Sequence, residues 1–256
     1  ESINEMSSSL KEQYLLNMQW AEQLFLLGEM SGGLAHEIKN PLAGVKAVLE
    51  VLSADAAIPA EDQTLLQKSI EQIKKIEALL KSLLNFARPP RPQLVSVDVN
   101  GVLEATISLA QRLPVFSSVD GKGVKIVKFL DPRIWAIMAD PLQLQQVFMN
   151  LIVNAAEAMP QGGMVTVRSS YDVASHALQV AVSDTGEGVD PGIVDKIFQP
   201  FYTTKSKGTG LGLAITKRLI EQHGGTIRTE NNRDWGATFL VTLPVKQQEA
   251  LATRTP

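Results

Sequence analysis

The sequence predicts two units of different class. The first is a helical hairpin that pairs with a second copy as a dimeric four-helix bundle; the second is an α/β sandwich whose mixed sheet is covered on one face by helices. Three observations lead there. Apolar residues recur at helical steps through the first third of the chain, the proline-rich stretch "RPPRP" (88–92) ends that pattern, and strand-like and helical segments alternate after it. At 256 residues and 45% hydrophobic, the chain has material for two cores.

From Ser7 to Leu52 the only interior proline is Pro41, and apolar residues fall at Met30, Leu34, Ile38, Leu42, Val45, Leu49 and Leu52. Steps of three and four describe one amphipathic helix. "SADAAIPAED" (53–62) breaks it, and a second stripe follows at Leu66, Ile70, Ile73, Ile76, Leu80 and Leu83. A single hairpin cannot bury both stripes, and their near-heptad spacing favours a second hairpin as partner; packing against the rest of the same chain is the alternative. Beyond the prolines, strands are expected at 94–99, 125–130, 134–139, 164–171, 177–184, 226–231 and 237–245, with helices at 100–112, 141–158 and 210–222. Asn100 and Asp140 are the expected N-caps, and "HGG" after Gln222 the last helix stop.

Composition excludes several functions. A net charge of −3 with interspersed signs gives no basic field for nucleic acid. The absence of cysteine excludes disulfides, thiol nucleophiles and the usual zinc sites. No run of about 18 apolar residues occurs, and a start at Glu1 without methionine suggests a piece of a larger protein.

Chemistry concentrates in a few stretches. "DTGEGVD" (184–190) follows a strand and "GTGLGLAI" (208–215) opens a helix. Gly208, Gly210 and Gly212 let backbone approach a ligand, and the helix start offers N–H groups and a positive dipole end, the elements of a phosphate cradle. The spacing is neither a Walker sequence nor the dinucleotide fingerprint. Asn150 and Asn154 lie one turn apart in "NLIVNAAEAM", where amide oxygens can hold hydrated magnesium and touch phosphates, or form a polar face and nothing more. Asp184 is either a turn residue or a buried acceptor for an exocyclic amine such as adenine's. The single "DTG" argues against an aspartic protease, which needs two carboxylates sharing a proton.

In "LAHEIKNPLAG" (34–44), His36 is two residues from both Leu34 and Ile38, so at about 100° per residue it points away from the apolar stripe. Glu37 can accept its Nδ1 proton or orient the ring, leaving the other nitrogen nucleophilic. Pro41 cannot donate to the Glu37 carbonyl, and a helix bend is expected there. His176 and His223 read as turn and helix-end residues.

Together these stretches resemble the sensor histidine kinases of two-component signalling. "AHEIKNPL" looks like their phosphoacceptor box, "NLIVNAAEAM" the asparagine box, "DTGEGV" and "GTGLGLAI" the glycine boxes and "FQPFYTTK" (198–205) the phenylalanine box, all in the family's order. "FARPPRP" and "GLAHEIKNPLAG" are most similar to the nitrogen-regulation-like subgroup. The resemblance implies a phosphotransfer hairpin followed by a Bergerat-type ATP-binding domain, shared with gyrase, Hsp90 and MutL. Its implied divisions are a signalling helix at 1–27, similar to the end of a HAMP module; the dimerisation and phosphotransfer domain at 28–88; a linker at 89–93; the catalytic domain at 94–246; and a tail at 247–256.

The implied activity is autophosphorylation of His36 from ATP with Mg2+, transfer to the receiver domain of a response regulator, and phosphatase activity toward it through Asn40. The bend at Pro41 would then let His36 meet both partners. Asn154 is implied for magnesium with Asn150 in support; Asp184, Gly186 and Gly188 for adenine; Thr238 for adenine through water; Lys205, Gly208, Gly210, Leu211 and Gly212 for the phosphates. Phe198 and Phe201 would belong to an ATP lid over about 189–209, or serve as core anchors. A homodimer is implied, as is a cytoplasmic location for this part of a protein with an upstream sensor anchored in the bacterial inner membrane. Glu157 departs from the Lys or Arg that many members carry there. Two rivals share the nucleotide fold: an ATP-driven clamp, whose glutamate is replaced here by Asn150, and a dimeric scaffold that binds no ATP.

Overall fold

Apolar residues at helical steps form the two helices of the first unit, α1 (38–53) and α2 (Ala60–Ala87). The computed structural model describes residues 38–55, 58–87, 90–117, 123–205 and 208–245. His36 and Glu37, the helix expected before them, and the proposed N-terminal and C-terminal segments lie outside these residues. Backbone bonds from Ala54 to the Glu50 carbonyl and from Ile58 to that of Asp55 close the turn, and the Gln63 amide donates to the Asp55 and Ile58 carbonyls. Lys46 and Glu77 pair across the hairpin at 3.2 Å. The stripe of α1 divides in two: Leu42 and Leu49 are half-buried, whereas Ile38, Val45 and Leu52, seven residues apart, remain exposed. Pro41 lies within α1, but the carbonyl it would leave unpaired belongs to Glu37.

The second unit begins at Arg91. Its five-stranded sheet has the order β2-β4-β5-β7-β6, from β2 (Val124–Leu130), β4 (Gly163–Asp172), β5 (Ala177–Ser183), β6 (Thr226–Asn231) and β7 (Ala237–Pro244). β2 runs parallel to β4 because α4 (Pro141–Glu157) intervenes in the chain; the remaining pairs are antiparallel. Alternate residues Val165, Val167, Val180, Val182 and Val241 are fully buried beneath α4, α3 (Val99–Ala110) and α5 (Gly212–Gln222). From α4, Leu144, Phe148, Leu151 and Ile152 complete that core, each contributing about 1.5–3 kcal/mol by burial. The expected sandwich, a mixed sheet with helices on one face, is present.

Local differences have local causes. β1 (Val95–Val97) and β3 (Ile137–Ala139) do not join the main sheet but pair with each other as an antiparallel ribbon. β3 starts at residue 137 rather than 134, because Asp131–Arg133 is a turn in which the Asp131 carboxylate accepts from Arg133 N. Asp98, not Asn100, caps α3 by accepting from Asn100 N at 3.0 Å. The Asn100 amide instead donates to the Asp131 carbonyl and accepts from Ser169 Oγ, each at 2.8 Å, which ties α3 to the sheet. Asp140 caps α4 as expected, accepting from Leu142 N and Gln143 N. Burial of Asp140 works to raise its pKa, but backbone N–H donors from Gln93, Gln143 and Leu142 outweigh it and hold the carboxyl below its ordinary value.

Candidate functional site

A cavity of about 420 Å³ opens between α4, the 184–190 loop and the start of α5. Asn150, Asn154, Asp184, Gly188, Lys205, Gly208, Gly210 and Gly212 all line it, so sequence stretches up to about sixty residues apart meet at one place. Gly186, Leu211 and Thr238 do not line it. Gly186 donates its N–H to Asp184 Oδ1 at 2.8 Å and serves that carboxylate. Leu211 is buried, only 2% exposed, and anchors the start of α5. Thr238 corrects the expectation most clearly. With a strand period of two, Ala237 and Phe239 face the cavity and Thr238 faces the opposite side of the sheet, where its hydroxyl meets Ser183 Oγ at 2.7 Å.

Asp184 is 4% exposed at the end of β5. Its Oδ1 accepts from Gly186 N at 2.8 Å and Ala237 N at 3.2 Å, while Oδ2 accepts from no described group. Burial pushes the carboxyl above its ordinary value, with the two N–H donors opposing. A buried carboxylate with one uncommitted oxygen on a cavity wall suits a ligand donor such as an amine.

On α4, Asn150 and Asn154 have different partners. Asn150 Nδ2 donates to Thr216 Oγ1 at 2.7 Å and braces α4 against α5. That close approach requires glycine at 212, since a Cβ there would lie 2.6 Å from Asn150 Oδ1. Asn154 Oδ1 instead accepts from Lys205 Nζ at 3.1 Å, and the same ammonium pairs with Glu157 Oε2 at 2.5 Å. Two oxygens from one helix turn already hold a positive charge at the cavity, a donor set that fits a hard divalent cation. Glu157, whose acidic character departed from the family pattern, is thus the counter-charge of Lys205.

α5 starts at Gly212, not 210, because Gly210 stands at φ 67 outside the helix and packs on the backbone of Phe201. Leu211 provides no side-chain cap, so the first N–H groups of α5 have neither an intrahelical partner nor a cap. Phe198 packs edge-on to Phe239 and against the core, whereas Phe201 is half-exposed with φ 64. Asn40 is exposed on α1.

His223 ends α5 as expected, and its side chain adds a tie that sequence reasoning did not assign: Nε2 accepts from Asp140 N at 3.0 Å while Nδ1 meets the Leu219 carbonyl. It locks the end of α5 to the start of α4. Sequence reasoning missed Asn231 and Asn232, whose signal was only an amide pair at the end of β6. Among the described residues there is no cluster of three or more metal-binding side chains, and no helix long and apolar enough to cross a membrane.

Comparison with known proteins agrees with this geometry. Residues 26–92 match the family model described as His Kinase A (phospho-acceptor) domain, and residues 139–247 that of histidine kinase-, DNA gyrase B-, and HSP90-like ATPases. The chain is 35% identical to signal transduction histidine-protein kinase AtoS of Escherichia coli (strain K12), over 90% of this chain and 37% of that protein. It is 33% identical to sensor histidine kinase ZraS of the same organism, over 89% and 48%. Sporulation kinase C of Bacillus subtilis (strain 168) is 34% identical, over 88% and 51%. The chain therefore spans about half or less of the length of these curated relatives.

Among solved structures, full-length ShkA in complex with AMPPNP superimposes with a TM-score of 0.73 at 28% identity, over 85% of this chain and 46% of that one. Histidine kinase ThkA, solved with response regulator protein TrrA, shares the fold at a TM-score of 0.61 and 24% identity, over 93% and 67%. With both domain models matched in order, and relatives above 30% identity along most of its length, this chain belongs to the sensor histidine kinases.

Proposed function

We propose that the chain is the kinase core of a two-component sensor, moving the γ-phosphoryl group of ATP to His36 and then to an aspartate in the receiver domain of a response regulator. The observation that carries this reading is the cavity that joins Asn154, Asp184 and the second glycine-rich loop, on a chain whose residues 26–92 match a phospho-acceptor domain. The similar protein ShkA was solved with AMPPNP, which supports a nucleotide as the occupant.

Asp184 Oδ2 accepts from the adenine amine, and Gly186 and Gly188 keep the loop close to the base. Asn154 Oδ1 holds Mg2+ with Asn150 bracing its helix; the metal, when bound, neutralises charge on the phosphates. Gly208, Gly210, Leu211 and Gly212 bring the unpaired N–H groups of α5 toward the phosphates, and Lys205 adds charge. Catalysis comes from positioning and charge neutralisation. Glu37 holds the proton on one nitrogen of His36 while the other attacks phosphorus, the bond to the bridging oxygen breaks and ADP leaves.

In the reverse regulatory direction, Asn40 orients water that removes the phosphoryl group from the response regulator. The division into 1–27, 28–88, 89–93, 94–246 and 247–256 belongs to this reading. So do the homodimer and an upstream membrane-anchored sensor with this part in the cytoplasm. An ATP-driven clamp would want a carboxylate at position 150, where Asn150 gives its amide to Thr216.

Incubation with γ-labelled ATP and Mg2+ tests the proposal. Acid-labile label is expected on the native chain and absent from His36→Gln and Asn154→Ala; acid-stable label, or label persisting in His36→Gln, would sink it.

A further inference from the structure

Loop 184–189 has no helix or strand of its own, so its shape depends on bonds to its neighbours: Thr185 Oγ1 accepts from Met164 N at 3.1 Å and donates to Met159 Sδ at 3.3 Å, and the ends are tied separately. Both ends are held by the β6–β7 hairpin. At the far end, the Asn231 amide pairs with the whole backbone of Val189: Oδ1 accepts from Val189 N at 2.8 Å and Nδ2 donates to the Val189 carbonyl at 2.7 Å. This fit needs glycine at 188, where φ is +79 and a Cβ would lie 2.8 Å from Asn231 Oδ1.

At the near end, Asn232 Nδ2 donates to the carbonyl of Asp184 at 3.0 Å and to that of Trp235 at 3.2 Å. Its Oδ1 accepts from Thr238 Oγ1 at 2.6 Å. Two carbonyls on one side and a hydroxyl on the other settle which way this amide points.

We propose that Asn231 and Asn232 are positioning residues for base recognition, acting through Asp184. By clasping both ends of the loop they keep Asp184 Oδ2 on the cavity wall, available to an exocyclic amine. The hydroxyl of Thr238 takes part by orienting Asn232, from the face of the sheet away from the cavity. This inference rests on the reading of Asp184 as the acceptor of the adenine amine, and neither asparagine touches the ligand itself.

The test compares calorimetric binding of ADP with that of purine riboside 5′-diphosphate, which lacks the 6-amino group, to the full chain. The native chain should prefer ADP. In Asn232→Ala, ADP should weaken about tenfold while the analogue holds, so that the preference collapses; Asn231→Ala should follow the same pattern more mildly.

Should Asn232→Ala fail to fold, Asn231→Ala and the near-isosteric Thr238→Val give the same comparison. A preference that survives in the variants, or an equal loss for both ligands, overturns the clasp and leaves base reading by Asp184 standing. No preference in the native chain would instead remove the Asp184 reading itself.

Discussion

Asp184 pays for its position with an ionisation that burial opposes, and the sign of that effect separates its binding role from its structural one. Its carboxyl is raised above the ordinary value of 3.8, chiefly by burial. The stability linked to this group is therefore full below pH 3.8 and is lost as pH rises through the folded value; at neutral pH the charged form is a cost. Asp184→Asn removes that cost. The new carbonyl must turn to the N–H groups of Gly186 and Ala237, which leaves an NH2 facing a ligand amine, donor against donor. Thermal denaturation at pH 7 should show a melting temperature equal to or above that of the native chain, with any advantage shrinking toward pH 4. ADP affinity should fall by about tenfold or more. A variant that melts earlier at pH 7 yet binds normally would reverse the assignment.

Helix α4 presents its last turn to the cavity, and the lysine of the neighbouring segment already occupies it. Lys205 Nζ binds Asn154 Oδ1 and Glu157 Oε2, so a divalent cation that uses Asn154 must displace an ammonium. Both partners are partly exposed, and such a pair is worth about 0–1 kcal/mol. Lys205→Ala should therefore lower the Mn2+ concentration needed for half-saturation about two- to fivefold, read by electron paramagnetic resonance in the presence of ADP. A higher requirement would mean that the ammonium assists the metal rather than competing with it. At the opposite end of α4, Asp140 caps its first turn and His223 accepts from Asp140 N, so α4 and α5 are joined there and again mid-helix through Asn150 and Thr216.

The hairpin of α1 and α2 buries one row and leaves the other in water. Leu42, Leu49, Ile70 and Ile73 turn inward, but Val45 remains 54% exposed between Ile38 and Leu52, and Leu65 on α2 is 59% exposed. Apolar residues seven apart on an unpartnered row are the knobs of a bundle seam. On the proposed reading the second hairpin comes from another copy. Val45→Glu should then halve the mass measured by light scattering relative to the native chain, without loss of helical circular dichroism. An unchanged mass would place the seam elsewhere.

Periodicity was enough to locate the elements, because a helix or strand is a local pattern of which faces meet water; the ranges of β4, β5, β6 and β7 differ from expectation by one residue at most. Motif order was enough to identify the family and to name Asn154, Asp184 and the glycines that line one cavity. Direction and partnership needed the fold. Whether Thr238 or Ala237 faces the cavity depends on strand phase; the pairing of β1 with β3 outside the main sheet depends on which edges are free. The grip of Asn231 and Asn232 on the 184–189 loop joins residues more than forty positions apart. Hydrogen bonds and ion pairs act over a few ångströms of space, and only packing brings such distant positions within that reach.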